Sequence, residues 1–327
     1  MTKIKYIISF VLLLIITTSI KAQQMPQYSQ YLRNQYMINP GAAGVYDFVD
    51  VTVAGRLQWA GFSEAPMTTY ASVTSVLGAK NKKRYNPGLH MSTGIVKNPE
   101  ILTGKLKHAV GGQLVADQYG AFRKLQLTGT YAIHLPITKD YNLSFGTKIG
   151  LGNNTFLQDR AVVANATTIV DNTYTGFTNN QGNVNILNLG AGFYFYSKTL
   201  FLGIAADQLT RSLVKFGSGT ANFDPKIHMN ITGGIKLPLN NDLTITPAFL
   251  VKYMNPTKPS LEATAQLEYK EWLWAAFSYR HKDAVVGMVG MNISNRFKFG
   301  YSYDFSISQF RTYSSGGHEI ILGIMLR

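Results

Sequence analysis

The stretch Phe297-Lys298-Phe299-Gly300-Tyr301-Ser302-Tyr303-Asp304-Phe305 decides how this chain is read. Five aromatic side chains hold every second position, and Lys298, Gly300, Ser302 and Asp304 fill the gaps. Successive residues of a strand point to opposite faces, so one face here is aromatic and the other small or charged. The pattern recurs. Leu261, Ala263, Ala265, Leu267 and Tyr269 alternate with Glu262, Thr264, Gln266 and Glu268, and Ile227, Met229, Ile231, Ile235 and Leu237 alternate with His228, Asn230, Thr232 and Lys236. Two-faced segments of about 9–12 residues separated by turns are what a membrane barrel strand requires, one face meeting lipid and the other the lumen. A slip of one residue would push Lys298 or Glu262 into hydrocarbon, at about 2–4 kcal/mol for a Lys at mid-depth. Register is therefore well specified.

Composition agrees. The 327 residues are 15% charged, 46% hydrophobic and 12% aromatic, with 19 Tyr and 18 Phe, which excludes the disordered class. Mean hydropathy is −0.01, too low for a bundle of membrane helices, and the pI is about 9.7. With no cysteine, disulfide frameworks, thiolate metal sites, Cys nucleophiles and lipid anchoring through an N-terminal Cys are excluded together.

Residues 1–22 read as a secretory signal peptide. Lys3 and Lys5 form the positive region, Ile7 to Ile16 the apolar core, and Ala22 a small residue before the cut. The apolar run is shorter than the roughly 20 residues that span a bilayer. Cleavage after Ala22 removes Lys3, Lys5 and Lys21 and lowers the net charge from +14 to +11. An exported chain without a spanning helix is periplasmic, secreted, or an outer-membrane barrel, and the alternation selects the last.

Fifteen strand candidates can be marked: 51–59, 67–77, 88–96, 106–116, 122–134, 142–152, 184–196, 199–207, 227–237, 242–253, 261–269, 271–281, 284–293, 296–305 and 317–326. Bacterial single-chain barrels have even strand numbers with both ends in the periplasm. The weakest candidate is 88–96, interrupted by Gly94 and flanked by Asn81-Lys82-Lys83-Arg84 and Asn98-Pro99. Removing it predicts an all-β, transmembrane antiparallel β-barrel of about fourteen strands over 51–327. Residues 23–50 then form an N-terminal lead-in or plug, and 78–105 a periplasmic insertion. Connections tend to alternate between short (Ser197 to Thr199, Lys270-Glu271) and long (153–183, 208–226, 306–317), as short periplasmic turns and long outer loops would.

Several elements resemble one family in order along the chain. Gln27-Tyr28-Ser29-Gln30-Tyr31 through Ile38-Asn39-Pro40-Gly41-Ala42-Ala43-Gly44 resembles the opening of the PorP/SprF outer-membrane proteins of Bacteroidetes. Arg56, Gln58, Trp59, Gly61, Phe62, Ala65, Pro66 and Thr68 match that family's next element. Asp117-Gln118-Tyr119-Gly120, Tyr131-Ala132-Ile133-His134, Leu250-Val251-Lys252-Tyr253, Ser278-Tyr279-Arg280 with Asp283-Ala284, Gly300 to Asp304, and His318-Glu319-Ile320 follow. Gly41, Ile133 and the 78–105 insertion depart from it. The resemblance implies a membrane barrel of type IX secretion. Its partner would be a secreted surface protein, such as a gliding-motility adhesin, carrying a type B C-terminal domain. The type IX translocon is the second partner implied.

Two groups of residues are candidate sites. Asn39, Pro40 and Gly44, with Arg56, Gln58, Trp59, Gly61, Phe62, Ala65 and Pro66, form a candidate plug or structural motif, because Gly and Ala allow close backbone approach. Arg56 and Gln58 face inward and are expected to tie the N-terminal segment to the wall; Trp59 also reads as an interface aromatic. Asp117, His134, Glu262, Glu268, Arg280, Asp283, Lys298 and Asp304 form a polar lumen set, with His281 beside it. These would line a pore or docking surface, or pair with one another inside a closed barrel.

Catalytic patterns are not found. The six His (90, 108, 134, 228, 281 and 318) stand at no zincin-like spacing, and no cofactor motif occurs. Gly111-Gly112 and Gly233-Gly234 lie in strands and read as bulges or close packing. The basic excess favours anionic lipopolysaccharide, outer-membrane lipid or an acidic protein over nucleic acid. The expected function is a non-enzymatic barrel binding secreted cargo at the outer membrane; the alternative is a diffusion or uptake channel for small solutes.

Overall fold

The computed structural model describes residues 26–62, 64–78, 101–161, 183–210, 215–216, 226–293 and 296–326. The signal peptide, the candidate strand 88–96 and most of the loops 153–183 and 208–226 lie outside the described residues.

Among the described residues sixteen strand segments follow one another: β1 (Val49–Leu57), β2 (Met67–Val76), β3 (Lys107–Tyr119), β4 (Phe122–Pro136), β5 (Asn142–Phe156), β6 (Asn183–Tyr196), β7 (Leu200–Asp207), β8 (Lys215–Phe216), β9 (His228–Ile235), β10 (Leu237–Pro238), β11 (Leu243–Met254), β12 (Ser260–Tyr269), β13 (Leu273–Arg280), β14 (Ala284–Ile293), β15 (Phe297–Ser306) and β16 (Gly317–Leu326). β8 and β10 are two-residue pieces. The other fourteen pair antiparallel with their neighbours, and β1 closes on β16 with Val49 opposite Leu326 and Leu57 opposite His318. The result is a closed fourteen-stranded antiparallel barrel, as the alternation predicts. Closure leaves each of the fourteen strands paired on both sides, as a sheet in a bilayer requires.

Burial is inverted relative to a soluble protein. Leu127, Ile149, Phe277 and Leu322 are 56–62% exposed on the outer face, whereas Glu262, Lys298 and Asp304 are 4–8% exposed on the inner one. On β15, Phe297, Tyr303 and Phe305 face out while Lys298, Ser302 and Asp304 face in.

β1 starts and β16 ends at the same rim, here the proximal rim. Among the described residues, the connections 137–141, 197–199, 236–242 and 270–272 lie there with 77–78 and 101–106, and the opposite, distal rim carries 157–161, 208–210, 226–227 and 307–316. Short distal turns at 120–121, 255–259 and 281–283 make the alternation of lengths a tendency. Most of the short turns gather at the proximal rim with the start of β1 and the end of β16, as at the periplasmic side of outer-membrane barrels.

The lumen departs from a uniformly polar one. Ala54, Tyr70, Val115, Leu250 and Ile321 point inward from the wall and pack with Tyr28, Tyr31, Met37 and Ile38 of the N-terminal segment in one buried apolar cluster. The core of this barrel lies inside it.

Candidate functional site

The N-terminal segment threads the lumen. Lys252 Nζ on the distal half of β11 donates to Pro26 O at 2.9 Å and Gln27 Oε1 at 3.0 Å, and stands 5.4 Å from the Tyr28 ring. The chain then descends toward the proximal rim, where Arg33 donates to Glu268 at 3.1 Å and Asn292 at 3.0 Å and covers the Trp274 ring. From there it crosses the barrel. Asn34 bonds Ser72 on β2, Tyr36 bonds Thr130 on β4, Gln113 on β3 donates to Tyr36 O, and Asn230 on β9 donates to Ile38 O. Lys107 donates to Gly44 O and Val45 O before β1 begins. Strands on every side of the barrel thus hold one segment.

Three short 3-10 turns, Tyr31–Arg33, Gln35–Met37 and Pro40–Ala42, shape the path. Asn39 caps the third, its Oδ1 accepting from Gly41 N at 2.8 Å while its Nδ2 donates to Phe193 O at 2.9 Å. Room comes from inward glycines. A Cβ on Gly146 would lie 2.4 Å from Pro40 C, and one on Gly192 would lie 2.3 Å from Asn39 Oδ1. Gly111 packs likewise against the Tyr36 hydroxyl; its pairing through β3 is regular, so close packing and not a bulge explains it. Burial raises the phenol pKa of Tyr28 and Tyr31, and pushes Tyr36 up to about 12. Tyr31 and Tyr36 act as neutral donors to Thr264 and Thr130.

Near the distal rim, charges from five strands gather around Ser29. Arg56 on β1 bonds Asp304 at 2.7 Å, Glu319 at 3.4 Å and Ser29 Oγ at 2.7 Å. Arg280 on β13 bonds Glu262 at 3.0 Å and both Asp283 and Asp304 at 3.2 Å. Glu319 on β16 accepts from the backbone N–H of Ser29 at 2.9 Å and of Gln30 at 3.1 Å. Buried charges persist where partners satisfy them, and here the segment supplies part of that satisfaction.

The polar set predicted from sequence is dispersed through the lumen. Arg280 and Asp304 bond Ser29 together with Arg56 of the plug group, and Glu262 and Asp283 join them through Arg280. Glu268 holds Arg33, and Lys298 pairs with Asp50 at 2.7 Å near the proximal rim. His134 Nε2 donates to Ala43 O and its Nδ1 accepts from Tyr196 OH, and Asp117 accepts from Thr68 at 2.6 Å, beside the Ser29 cluster because Thr68 stands opposite Arg56 in the ladder. His281 is exposed in a distal turn. The plug motif also divides. Asn39, Pro40 and Gly44 lie in the lumen, whereas Trp59, Gly61, Phe62, Ala65 and Pro66 build the distal β1–β2 turn, with Gln58 N donating to Pro66 O. That turn is tied to the neighbouring β15–β16 loop by Ala60 N donating to Gly316 O at 2.7 Å.

The two candidate groups left out Ser29, Lys252 and Glu319, which sequence reasoning named only within the family-like elements, and Lys107, which it did not name. One signal for Glu319 was present: closure of a meander barrel sets its first and last strands side by side, and Arg56 stands directly opposite Glu319. Among the described residues no group of three His, Asp or Glu is placed to hold a metal.

Beneath the segment, open toward the proximal rim, lies a cavity of about 690 Å³. Leu32, Ala42, Tyr46 and Leu200 line one side over the buried rings of Tyr194, Tyr196 and Phe201; Thr244, Thr246 and Gln266 line the other.

The family described as "Type IX secretion system membrane protein PorP/SprF" matches residues 20–324. No curated protein matches the chain. Among solved structures, the toluene transporter TodX of P. putida is similar at 12% identity and a TM-score of 0.47, over 90% of this chain and 94% of that one. A FadL homologue of Pseudomonas aeruginosa gives 8%, 0.44, 88% and 92%. The translocator domain of the autotransporter NalP from Neisseria meningitidis gives 10%, 0.40, 86% and 88%.

Proposed function

Since the chain belongs to the PorP/SprF family of type IX secretion system membrane proteins, we propose that this outer-membrane barrel works by holding a secreted polypeptide. The polypeptide is a surface protein with a type B C-terminal domain, such as a gliding-motility adhesin, which the barrel helps to export or retain. The translocon of the same system and the surrounding lipid and lipopolysaccharide are its other partners. Cleavage of the signal peptide after Ala22 delivers it to the outer membrane.

The observation that carries this reading is the occupied lumen. A diffusion channel needs a continuous aqueous path, whereas here a segment of the chain itself is pinned to strands around the circumference. Binding without conduction is what remains. A non-enzymatic role is favoured by the histidines too: the rings of His108, His134 and His318 engage Tyr hydroxyls, with a backbone carbonyl added at His134.

Mild-detergent purification with mass spectrometry, run beside planar-bilayer conductance, tests the proposal. A co-purifying secreted protein and the lack of a large steady conductance are expected. Large steady conductance with no secreted partner would return the chain to the solute-channel reading.

A further inference from the structure

From the proximal cavity we infer a binding site for the free C-terminal end of a polypeptide arriving from the periplasm. The inference rests on the reading of the partner as an exported polypeptide.

The cavity of about 690 Å³ falls in the range of sites for drug-sized ligands, and so for a few amino-acid residues. Its walls differ. Leu32, Ala42, Tyr46 and Leu200 offer half-buried apolar surface, suited to terminal side chains of an apolar kind. Thr244, Thr246 and Gln266 offer donors and acceptors opposite, which a peptide backbone needs when it leaves water. A fatty-acid chain has no use for that second wall. Access is through the periplasmic rim and not laterally from the bilayer, which also selects a polypeptide.

The mouth carries one more cation than acid: Arg33, Lys198, Lys236, Lys270 and Lys298 against Asp50, Asp242, Glu268 and Glu271. Lys198 and Lys236 stand on adjoining turns, Lys236 N donating to Thr199 O at 2.6 Å, and both line the cavity. The other cations around it are engaged: Arg33 by Glu268, Lys298 by Asp50 and Lys270 by Asp242. Among the described residues no acid pairs with the ammonium of Lys198 or Lys236. Two cations at the edge of an apolar wall match a chain that ends in apolar residues and a carboxylate, held by charge-assisted hydrogen bonds. The apolar end seats inward beneath the N-terminal segment, with the carboxylate at the lysines.

The test uses the purified full chain in detergent and a fluorescein-labelled pentapeptide, Thr-Val-Thr-Ile-Phe, as free acid and as C-terminal amide, read by fluorescence polarisation. The acid is expected to bind about tenfold more tightly than the amide, the loss of one charge-assisted contact. The double variant K198Q/K236Q should remove that preference while leaving amide affinity and heat-modifiable gel migration unchanged. Equal binding of acid and amide, or no binding of either, overturns the inference. Displacement of the peptide by dodecanoate at equal potency overturns it as well and assigns a lipid site. Capture of the secreted partner separates the two readings. If K198Q/K236Q still captures it and the acid peptide does not bind, the cavity reading fails and the cargo reading stands. If no secreted protein is captured and the peptide discriminates, the reverse holds.

Discussion

Glu319→Gln is the sharpest probe of how the N-terminal segment is held. The replacement keeps side-chain shape, so the β16 ladder and the apolar contacts of Ile321 persist. What changes is the acceptor count. The carboxylate, with no measurable exposure, takes Ser29 N at 2.9 Å, Gln30 N at 3.1 Å and Arg56 Nη1 at 3.4 Å. A carboxamide keeps one oxygen and presents an NH₂ to donors. One charge-assisted bond is lost, at about 1.5–3 kcal/mol, and one buried N–H is left without a partner, at about 1–3 kcal/mol. The sum matches the about 3–5 kcal/mol seen when one member of a buried ion pair is removed. Asp304 still holds Arg56 at 2.7 Å, which places the expected value in the lower half of that range. The cost falls on docking of the segment and not on the wall, so local opening rises by roughly 10²–10³-fold. Hydrogen exchange by mass spectrometry on the barrel in nanodiscs reads this directly: peptides covering 26–34 should lose that much protection while β12 to β15 stay protected. Unchanged protection of 26–34 in a folded variant would refute the claim that Glu319 clamps the segment. Equal loss across β12 to β15 would show that the cluster holds the wall instead.

Four further outcomes follow from the same contacts. Gly146→Val, whose Cβ would sit 2.4 Å from Pro40 C, should expel residues 36–42 and expose them to proteolysis while the barrel still shows heat-modifiable migration; a protected segment would contradict the close-approach argument. Asn39→Ala removes the cap to Gly41 and the bond to Phe193 O, costing about 1–3 kcal/mol, seen as faster exchange at 38–44 alone. Lys252→Met should fray residues 26–28 and leave 33–45 protected, because its bonds end at Gln27; exchange spreading to Arg33 would argue against stepwise anchoring. Arg160→Ala, which breaks an exposed pair with Glu64, should shift the melting midpoint by no more than the equivalent of about 1 kcal/mol.

The wall was legible because a membrane barrel writes its fold in a two-residue period. Each of the fourteen retained segments has a strand at its place, from Val49–Leu57 to Gly317–Leu326, with ends displaced by a few residues. β3 and β5 run on to Tyr119 and Phe156, past the predicted 116 and 152. There the alternation fades but ladder pairing to β4 continues. Parity, a closure argument and not a local one, is what excludes a fifteenth strand. Convergence on Ser29 was not legible in the same way. Alternation says that Arg56, Arg280, Asp304 and Glu319 face inward, but not which of them meet, since that depends on depth in the barrel and on closure of β1 against β16.

That the lumen holds protein could have been argued further from width and residue size together. Eight strands leave an interior that the wall's own side chains fill, and the diameter grows with strand number. Fourteen strands leave a space those side chains cannot close, so the interior is either water or another piece of the chain. Water would be lined by polar groups, and inward Tyr70, Leu250 and Ile321 would be poorly placed against it. Inward glycines make the opposite choice more pointed: Gly146, Gly192 and Gly203 each leave space that Pro40 or Asn39 occupies, space that a hydrated pore has no need of. Apolar and glycine positions on the lumen face of a wide barrel therefore mark a docked segment. Here that segment precedes β1, already carrying the Tyr, Asn and Arg side chains that bond to the wall.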